Sequence, residues 1–451
     1  MDFEIETIVS LIEAKQYYEL RSALAEMNAA DIAVIFEQLS EKYRAVVFRL
    51  LSKDQAADTF VELESDTQTD LIRSFSDNEL KEIIDELYVD DAVDIIEEMP
   101  ANVVRRILNQ ADDETRRAIN DILKYPEDSA GSLMTVEYVS LRSGLTVADA
   151  FANIRRTGID KETIYNCYVV DTNRHLIGVV SARSLLLAES EDIIDDIMEP
   201  NIISVNTRED KEDVAKKFAK YDLLAIPVVD SENRLVGIVT FDDAIDVIEE
   251  EATEDMEKMA AITPTDKPYL KSGVFETWRA RIPWLLLLMI SAAFTGGIIQ
   301  HFETALAAQV TLTAFIPMLM DTGGNSGSQA SVSIIRGLSL GDIQMRDILR
   351  ILWKETRVAL LCGLTLASAN FVKMMLIDRV VSGVTPTVAL VVCITMVLTV
   401  VFAKVVGCSL PIVAKRIGFD PAVMAAPFIT TIVDALSLLV YFTTASMLLN
   451  I

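Results

Sequence analysis

The chain has 451 residues, of which 51% are hydrophobic and 24% charged, and its 68 Asp and Glu against 40 Lys and Arg leave a net charge of −28. From Lys271 onward there are 13 basic and 9 acidic residues, leaving 27 and 59 before it. A soluble part this acidic repels itself and gathers cations, which argues against nucleic acid or an anionic membrane surface as its partner. Four cysteines (Cys167, Cys362, Cys393, Cys408) without CxxC spacing and two histidines (His175, His301) supply too little sulfur and nitrogen for a soft-metal site. An oxygen-ligated hard cation such as Mg2+ or Ca2+ fits better.

The start, Met1 to Ser10, is acidic and lacks a basic n-region, so no cleavable signal peptide is expected. Short amphipathic units then recur near Asp31–Leu39, Asp54–Asp58, Glu79–Ile84 and Asp91–Ile96. Such spacing predicts stacked short helices in an acidic superhelical domain over residues 1–129. Asp90 and Asp94 stand at i, i+4, where like charges on one helix face repel. A solvated face and a cation site are both compatible with that pair.

Next comes an internal repeat. Tyr168-Val169-Val170-Asp171 through Leu176–Ser181 matches Pro227-Val228-Val229-Asp230 through Leu235–Thr240 at an offset of 59, and Met134 and Met198 precede the two units at an offset of 64. Each unit reads as strand, helix, strand, polar turn, strand and helix. The pair resembles tandem CBS domains, assigned to residues 130–245. CBS pairs are regulatory modules that often take adenine nucleotides, so ATP is a further ligand that the residues leave open.

From Asp242 to Glu257 there are nine acids and no Lys or Arg. Val, Ile, Ala and Met still permit one long connecting helix, placed with its linker at 246–270, with Asp243, Asp246, Glu250 and Glu254 along one side. It is either a solvated spacer or a surface that divalent cations draw against another acidic face.

Five transmembrane helices are expected in residues 271–451, at 282–300, 310–335, 351–376, 386–411 and 421–449, each long enough for a hydrocarbon core of about 30 Å. Basic residues precede the first span and follow the second and fourth, while the alternate loops carry only Lys373 and Arg379. The positive-inside rule then puts the N-terminus in the cytoplasm and the C-terminus outside the cell membrane. Pro317 and the run Asp321 to Gln329 are expected to break the second span and line a cavity, the alternative being a close helix crossing through small residues, as Gly296-Gly297 would make in the first. Asp434 is an acid in an apolar run, on a helical stripe with Thr430, Ser437 and Tyr441, and an intramembrane acid marks an ion path unless it only ties helices together. Beyond Asp321, no further intramembrane carboxylate suggests a proton relay.

Taken together, the acidic helical domain, the paired repeat, the acidic connecting helix, five spans, the run Gly323–Gln329 and Phe419-Asp420-Pro421-Ala422 leading to Asp434 resemble the MgtE family of magnesium channels over nearly the full length. The resemblance implies a homodimer in the lipid bilayer with a pore on its two-fold axis, Asp434 from each subunit holding hydrated Mg2+ with Asn325 beside it. It also implies that cytosolic Mg2+ closes the pore through sensor ligands at Asp90, Asp94, Asp210, Glu212, Asp222, Asp243, Asp246, Glu251, Glu254 and Asp255. Alternatives are a secondary divalent-cation transporter coupled to H+ or Na+, and a membrane sensor that moves nothing. No nucleophile with its base, metal-hydrolase spacing or phosphate loop suggests an enzyme.

Overall fold

The computed structural model describes residues 5–449 apart from 266, 268, 304–306, 308 and 425, so the first four residues of the acidic start lie outside it. The chain divides between Ile248 and Glu249 into two compact units.

In the first unit, ten helices run from α1 (Ile5–Glu13) to α10 (Asp113–Ile122). From the second helix on, their N-cap positions recur every 12 residues, at Gln16, Asn28, Ser40, Ser52, Glu64, Ser76, Tyr88, Pro100 and Asp112. Asn28, Ser52, Ser76 and Asp112 accept hydrogen bonds from the following backbone N–H groups, each cap contributing about 1 kcal/mol. Helices two apart pack on each other: α3 (Ala29–Gln38) on α5 (Lys53–Val61), α5 on α7 (Asp77–Ile84), and α8 (Val89–Glu98) on α10. Two helices per repeat therefore stack into a superhelix whose core is continuous, because no single short helix can bury its apolar face alone. Phe36, Phe48 and Phe60, one period apart, form successive edge-to-face pairs with centroids 6.1 Å apart.

The repeat that follows builds two three-stranded sheets. In the first, β1 (Tyr138–Arg142) pairs in parallel with β2 (Thr163–Val170), which pairs antiparallel with β3 (Leu176–Ser181); β4 (Val205–Asn206), β5 (Ala225–Val229) and β6 (Leu235–Thr240) repeat the pattern. Helices α11 (Val147–Thr157), α12 (Ala182–Leu187), α13 (Ile194–Ile197) and α14 (Lys211–Tyr221) complete the two halves. Asp171 and Asp230 accept matching hydrogen bonds two and four residues ahead, closing equivalent turns before β3 and β6. The halves exchange their leading segments: Met198 lies against Gly178 of the first half, and Met134 against Gly237 of the second. A Cβ at either glycine would overlap the methionine sulfur, which accounts for the glycine in both copies of the repeat. Helix α15 (Phe241–Met259) then runs unbroken for 19 residues, as expected from its composition.

The second unit contains α16 (Val274–His301), α17 (Ile316–Ser339), α18 (Ile348–Lys373), α19 (Pro386–Arg416) and α20 (Ala426–Leu449). Four segments among the described residues are long and apolar enough to cross a membrane: Val274–His301, Met345–Val381, Pro386–Arg416 and Pro421–Leu449. The expected second span, 310–335, which holds α17, is not among them, because the polar run from Asp321 to Gln329 lowers its hydropathy.

That run does not break the helix. Residues 316–339 form one continuous α-helix, and the close-crossing alternative is the one the packing bears out. A Cβ on Gly323 would meet Ser437 and Thr399, one on Gly324 would meet Thr430, and one on Gly407 would stand 2.2 Å from the carbonyl oxygen of Gly327. Glycine thus lets α17 press against α19 and α20 at backbone distance. The expected crossing at Gly296-Gly297 is not made within the chain, since nothing lies within 4 Å of a Cβ at either. The expectation for intramembrane acids also needs correction: Glu355 lies inside the third span and is paired, its Oε2 3.6 Å from Nζ of Lys404 on α19.

Candidate cation sites

In the first unit, an acidic centre assembles from three separated stretches of sequence. Asp90 and Asp91 occupy the first turn of α8, where the helix dipole favours negative charge. Asp242 and Asp243 open α15, and Thr240 donates its backbone N–H to Asp243 Oδ2 at 3.2 Å. Glu137 and Glu162 are brought side by side because β1 and β2 pair in parallel, the N–H of Glu162 donating to the carbonyl of Glu137 at 2.9 Å. Asp90 is only 7% exposed. Its Oδ1 and the Oε2 of Glu162 are buried with no hydrogen-bond partner.

The electrostatics follow from burial first and mutual repulsion second. Desolvation, then the charges of Asp243 and Asp242, pushes the Asp91 carboxyl up to about 7. Desolvation, then Asp91, Asp242 and Asp243, raises Glu162 to about 8. Asp243 rises to about 6 through burial, partly offset by its bond to Thr240, and burial followed by Asp243 and Asp91 holds Asp90 well above the carboxylate range. No Lys, Arg or His pairs with these four among the described residues. The centre is therefore a repulsive one whose missing partner is positive charge. No three acidic, imidazole or thiol side chains converge closely enough to hold a bare metal ion among the described residues. A hydrated dication, reaching oxygens through its waters, fits this donor set better than a stripped one.

Of the sensor residues expected from sequence, the structure brings Asp90 and Asp243 together. Asp94, one turn on, is exposed, as is Asp246. Asp210 caps α14 and accepts from the N–H of Glu212, which pairs with Lys216, whereas Asp222 ends the same helix in left-handed geometry. Twelve residues of helix separate those ends by about 18 Å, so the three do not form one site within a chain. Glu251 and Asp255 are half-buried on the later turns of α15. Glu254 is paired with Lys258, whose Nζ also donates to Asp420 Oδ2 at 2.8 Å. Asp91, Glu137, Glu162 and Asp242 were missed: Asp91 stands off the i, i+4 spacing, and the glutamates meet only through strand register.

In the second unit, α20 carries the expected polar stripe. Tyr441 is fully buried and donates to the carbonyl of Leu312 at 2.9 Å; Ser437 is buried beside Gly323. Asp434 is half-buried, has Asp321 as its charged neighbour, and pairs with no basic group among the described residues. On α17, the face opposite the glycines presents Asp321, Asn325 and Gln329 at four-residue intervals, all exposed in the single chain. Asp434 thus lies near Asp321, where that polar edge begins.

Family models match along the chain in the same order: the MgtE intracellular N domain at 27–128, CBS domains at 130–191 and 194–250, and a divalent cation transporter domain at 316–444. The magnesium transporter MgtE of Thermus thermophilus is 40% identical over 449 residues, covering 98% of both chains. The chain belongs to the MgtE family of magnesium transporters. The Bacillus subtilis MgtE is 34% identical over 96% of this chain and 95% of its own. A crystal structure of the cytosolic domain of the Mg2+ channel MgtE in complex with ATP superposes with a TM-score of 0.51 at 39% identity, over 53% of this chain and 99% of that one. The soluble part of a magnesium transporter does so with a TM-score of 0.51 at 33% identity, over 55% and 98%. Membership makes this MgtE protein a multi-pass membrane protein whose substrate is Mg2+.

Proposed function

We propose that the chain forms a homodimeric, Mg2+-selective channel that admits magnesium across the cell membrane and closes when cytosolic Mg2+ occupies its acidic sites. The observation that carries the pore assignment is Asp434, which has no basic partner among the described residues and has Asp321, the first residue of the exposed polar edge of α17, as its charged neighbour. An intramembrane acid with a second acid, and no base, as its charged neighbour belongs to an aqueous path. One carboxylate grips a dication weakly; two, one from each protomer across a two-fold axis, with Asn325 beside them, hold a hydrated Mg2+ yet let it leave. In this reading α17 is the second of five spans, shielded by α19 and α20, with the N-terminus cytoplasmic and the C-terminus outside. A dication entering a negative-inside cell gains about 4.6 kcal/mol per 100 mV without a coupling ion.

Gating follows from the repulsive centre. Without divalents, the charges that form as Asp90, Asp91, Glu162 and Asp243 ionise repel one another and loosen the start of α15. Mg2+ between them, with Asp94 and Asp246 at the margin and Asp210, Glu212, Asp222, Glu251, Glu254 and Asp255 as further ligands, favours the compact arrangement, since a ligand shifts an equilibrium toward the state it binds better. The likeness to the ATP-bound cytosolic domain supports adenine nucleotide as a second ligand of the CBS pair.

The test is Mg2+ influx into proteoliposomes under an imposed negative-inside potential. Asp434→Ala is expected to lower influx about a hundredfold or more while eluting and melting as the native protein does. Influx at the native rate by that variant would refute the pore assignment.

A further inference from the structure

Lys404 and Glu355 form a charge pair inside the membrane unit, with side chains 7% and 15% exposed and Nζ 3.6 Å from Oε2. Lys404 lies on α19 between the two residues that touch the glycine run of α17. The carbonyl of Ala403 stands 3.1 Å from a Cβ built on Gly327, and a Cβ on Gly407 would strike the Gly327 carbonyl. The ammonium is thus carried by the helix that backs Asp321 to Gln329. Along the chain, the pair sits one turn further into the spans than an apolar cluster of Ile334, Leu338, Cys408, Ile412 and Ile351, since Glu355 follows Ile351 by four residues and Lys404 precedes Cys408 by four. The neighbouring bases of α18 turn away: Lys354 is exposed, and Arg357 lies over the exposed ring of Trp353 at 5.5 Å. Glu355 is the acid that faces Lys404.

We propose that Glu355 is a positioning residue for magnesium transport, cancelling the buried Lys404 ammonium behind the glycine-rich helix so that an entering dication meets no net positive wall. The inference rests on the reading of Asp434 and α17 as the lining of the ion path. A bare ammonium in a low-dielectric interior acts over several ångströms and acts doubly on a divalent ion. A pair whose only role is to tie α18 to α19 loses that role when either partner is removed. A structural pair would show its loss and recovery in the melting temperature, whereas charge cancellation shows them in the influx of variants that melt as the native protein does.

Full-length protein in proteoliposomes separates the two. Native protein, E355Q, K404M, E355Q/K404M and D434A are compared for Mg2+ influx, with detergent-solubilised melting curves as the check on folding. E355Q is expected to slow influx about tenfold and E355Q/K404M to return it to within about threefold of native, a coupling that only interacting sites show. A folded E355Q with native influx, or a double variant as slow as E355Q, would overturn the proposal. If E355Q does not fold, the exchange E355K/K404E decides: native influx supports charge balance, and a tenfold loss in folded protein overturns it. D434A keeps the two readings apart. If it is inactive while the double variant fails to recover, the role of Glu355 falls and the pore stands; if D434A conducts, the pore assignment falls with the inference that rests on it.

Discussion

The two units of this magnesium transporter treat buried charge in opposite ways. In the membrane unit, Lys404 meets Glu355 and Lys258 meets both Asp420 and Glu254, so the buried or half-buried charges of these helices are matched. In the cytosolic unit, Asp90, Asp91, Glu162 and Asp243 are gathered with no basic partner among the described residues, and two of their oxygens have no hydrogen bond. Matched charge fixes a structure. Unmatched charge leaves it responsive to whatever supplies the missing sign, and a cell supplies Mg2+. Asp434 is an exception among the described residues of the membrane unit, which is why we propose the ion rather than the scaffold as its partner.

Breaking the fixed side of the comparison should give the largest effect on stability. Gly407→Ala places a methyl 2.2 Å from the Gly327 carbonyl oxygen, and the helices must separate or distort. A loss of about 1–3 kcal/mol or more, seen as a lower detergent melting temperature together with slower influx, is the expected result. The responsive side should move the other way. Asp90→Asn replaces a buried carboxyl that ionises at a cost by a neutral group of the same shape, so in EDTA at pH 8 it should stabilise the cytosolic unit by about 1–2 kcal/mol, and it should shrink the stabilisation that Mg2+ adds. Thermal melts with and without Mg2+ check both.

Acidity sharpens the same point. Asp91, Glu162 and Asp243 hold folded values of about 7, 8 and 6, above the unfolded value near 4. Raised values in acids mean that the stabilising protonated form is fully present below about pH 4 and is lost as pH rises through about 8. In EDTA the cytosolic unit should therefore melt about 3–8 °C lower at pH 8 than at pH 5, and saturating Mg2+ should flatten that slope. A flat profile in EDTA would contradict the repulsive centre. The smallest effect belongs to Tyr441→Phe, which deletes the bond to the Leu312 carbonyl and should cost about 1 kcal/mol, read as a small drop in melting temperature with influx retained.

Much of this was legible in the sequence because it rests on local periodicity. The CBS repeat, the long acidic helix α15 and the polar stripe through Asp434 each follow from spacing along one element. Three features were not. The glycine run of α17 looked like a break, since glycine weakens a helix; only the partners at Gly323, Gly324 and Gly407 show that it serves close packing. Glu355 and Lys404 are 49 positions apart on different helices, and nothing local marks them as a pair. Glu137 and Glu162 enter the acidic centre through the pairing of β1 with β2, a long-range register that one sequence does not display.

The central claim is that divalent cations draw together surfaces that otherwise repel, through Asp90, Asp91, Glu162 and Asp243, which have no basic partner among the described residues. Protease protection of residues 242–257 in the full-length protein, followed at pH 8 through a magnesium titration, tests it most directly. The account predicts saturable protection in the native chain and a weakened magnesium dependence in Asp90→Asn/Asp243→Asn. Cleavage that is equally fast at every magnesium concentration would contradict it.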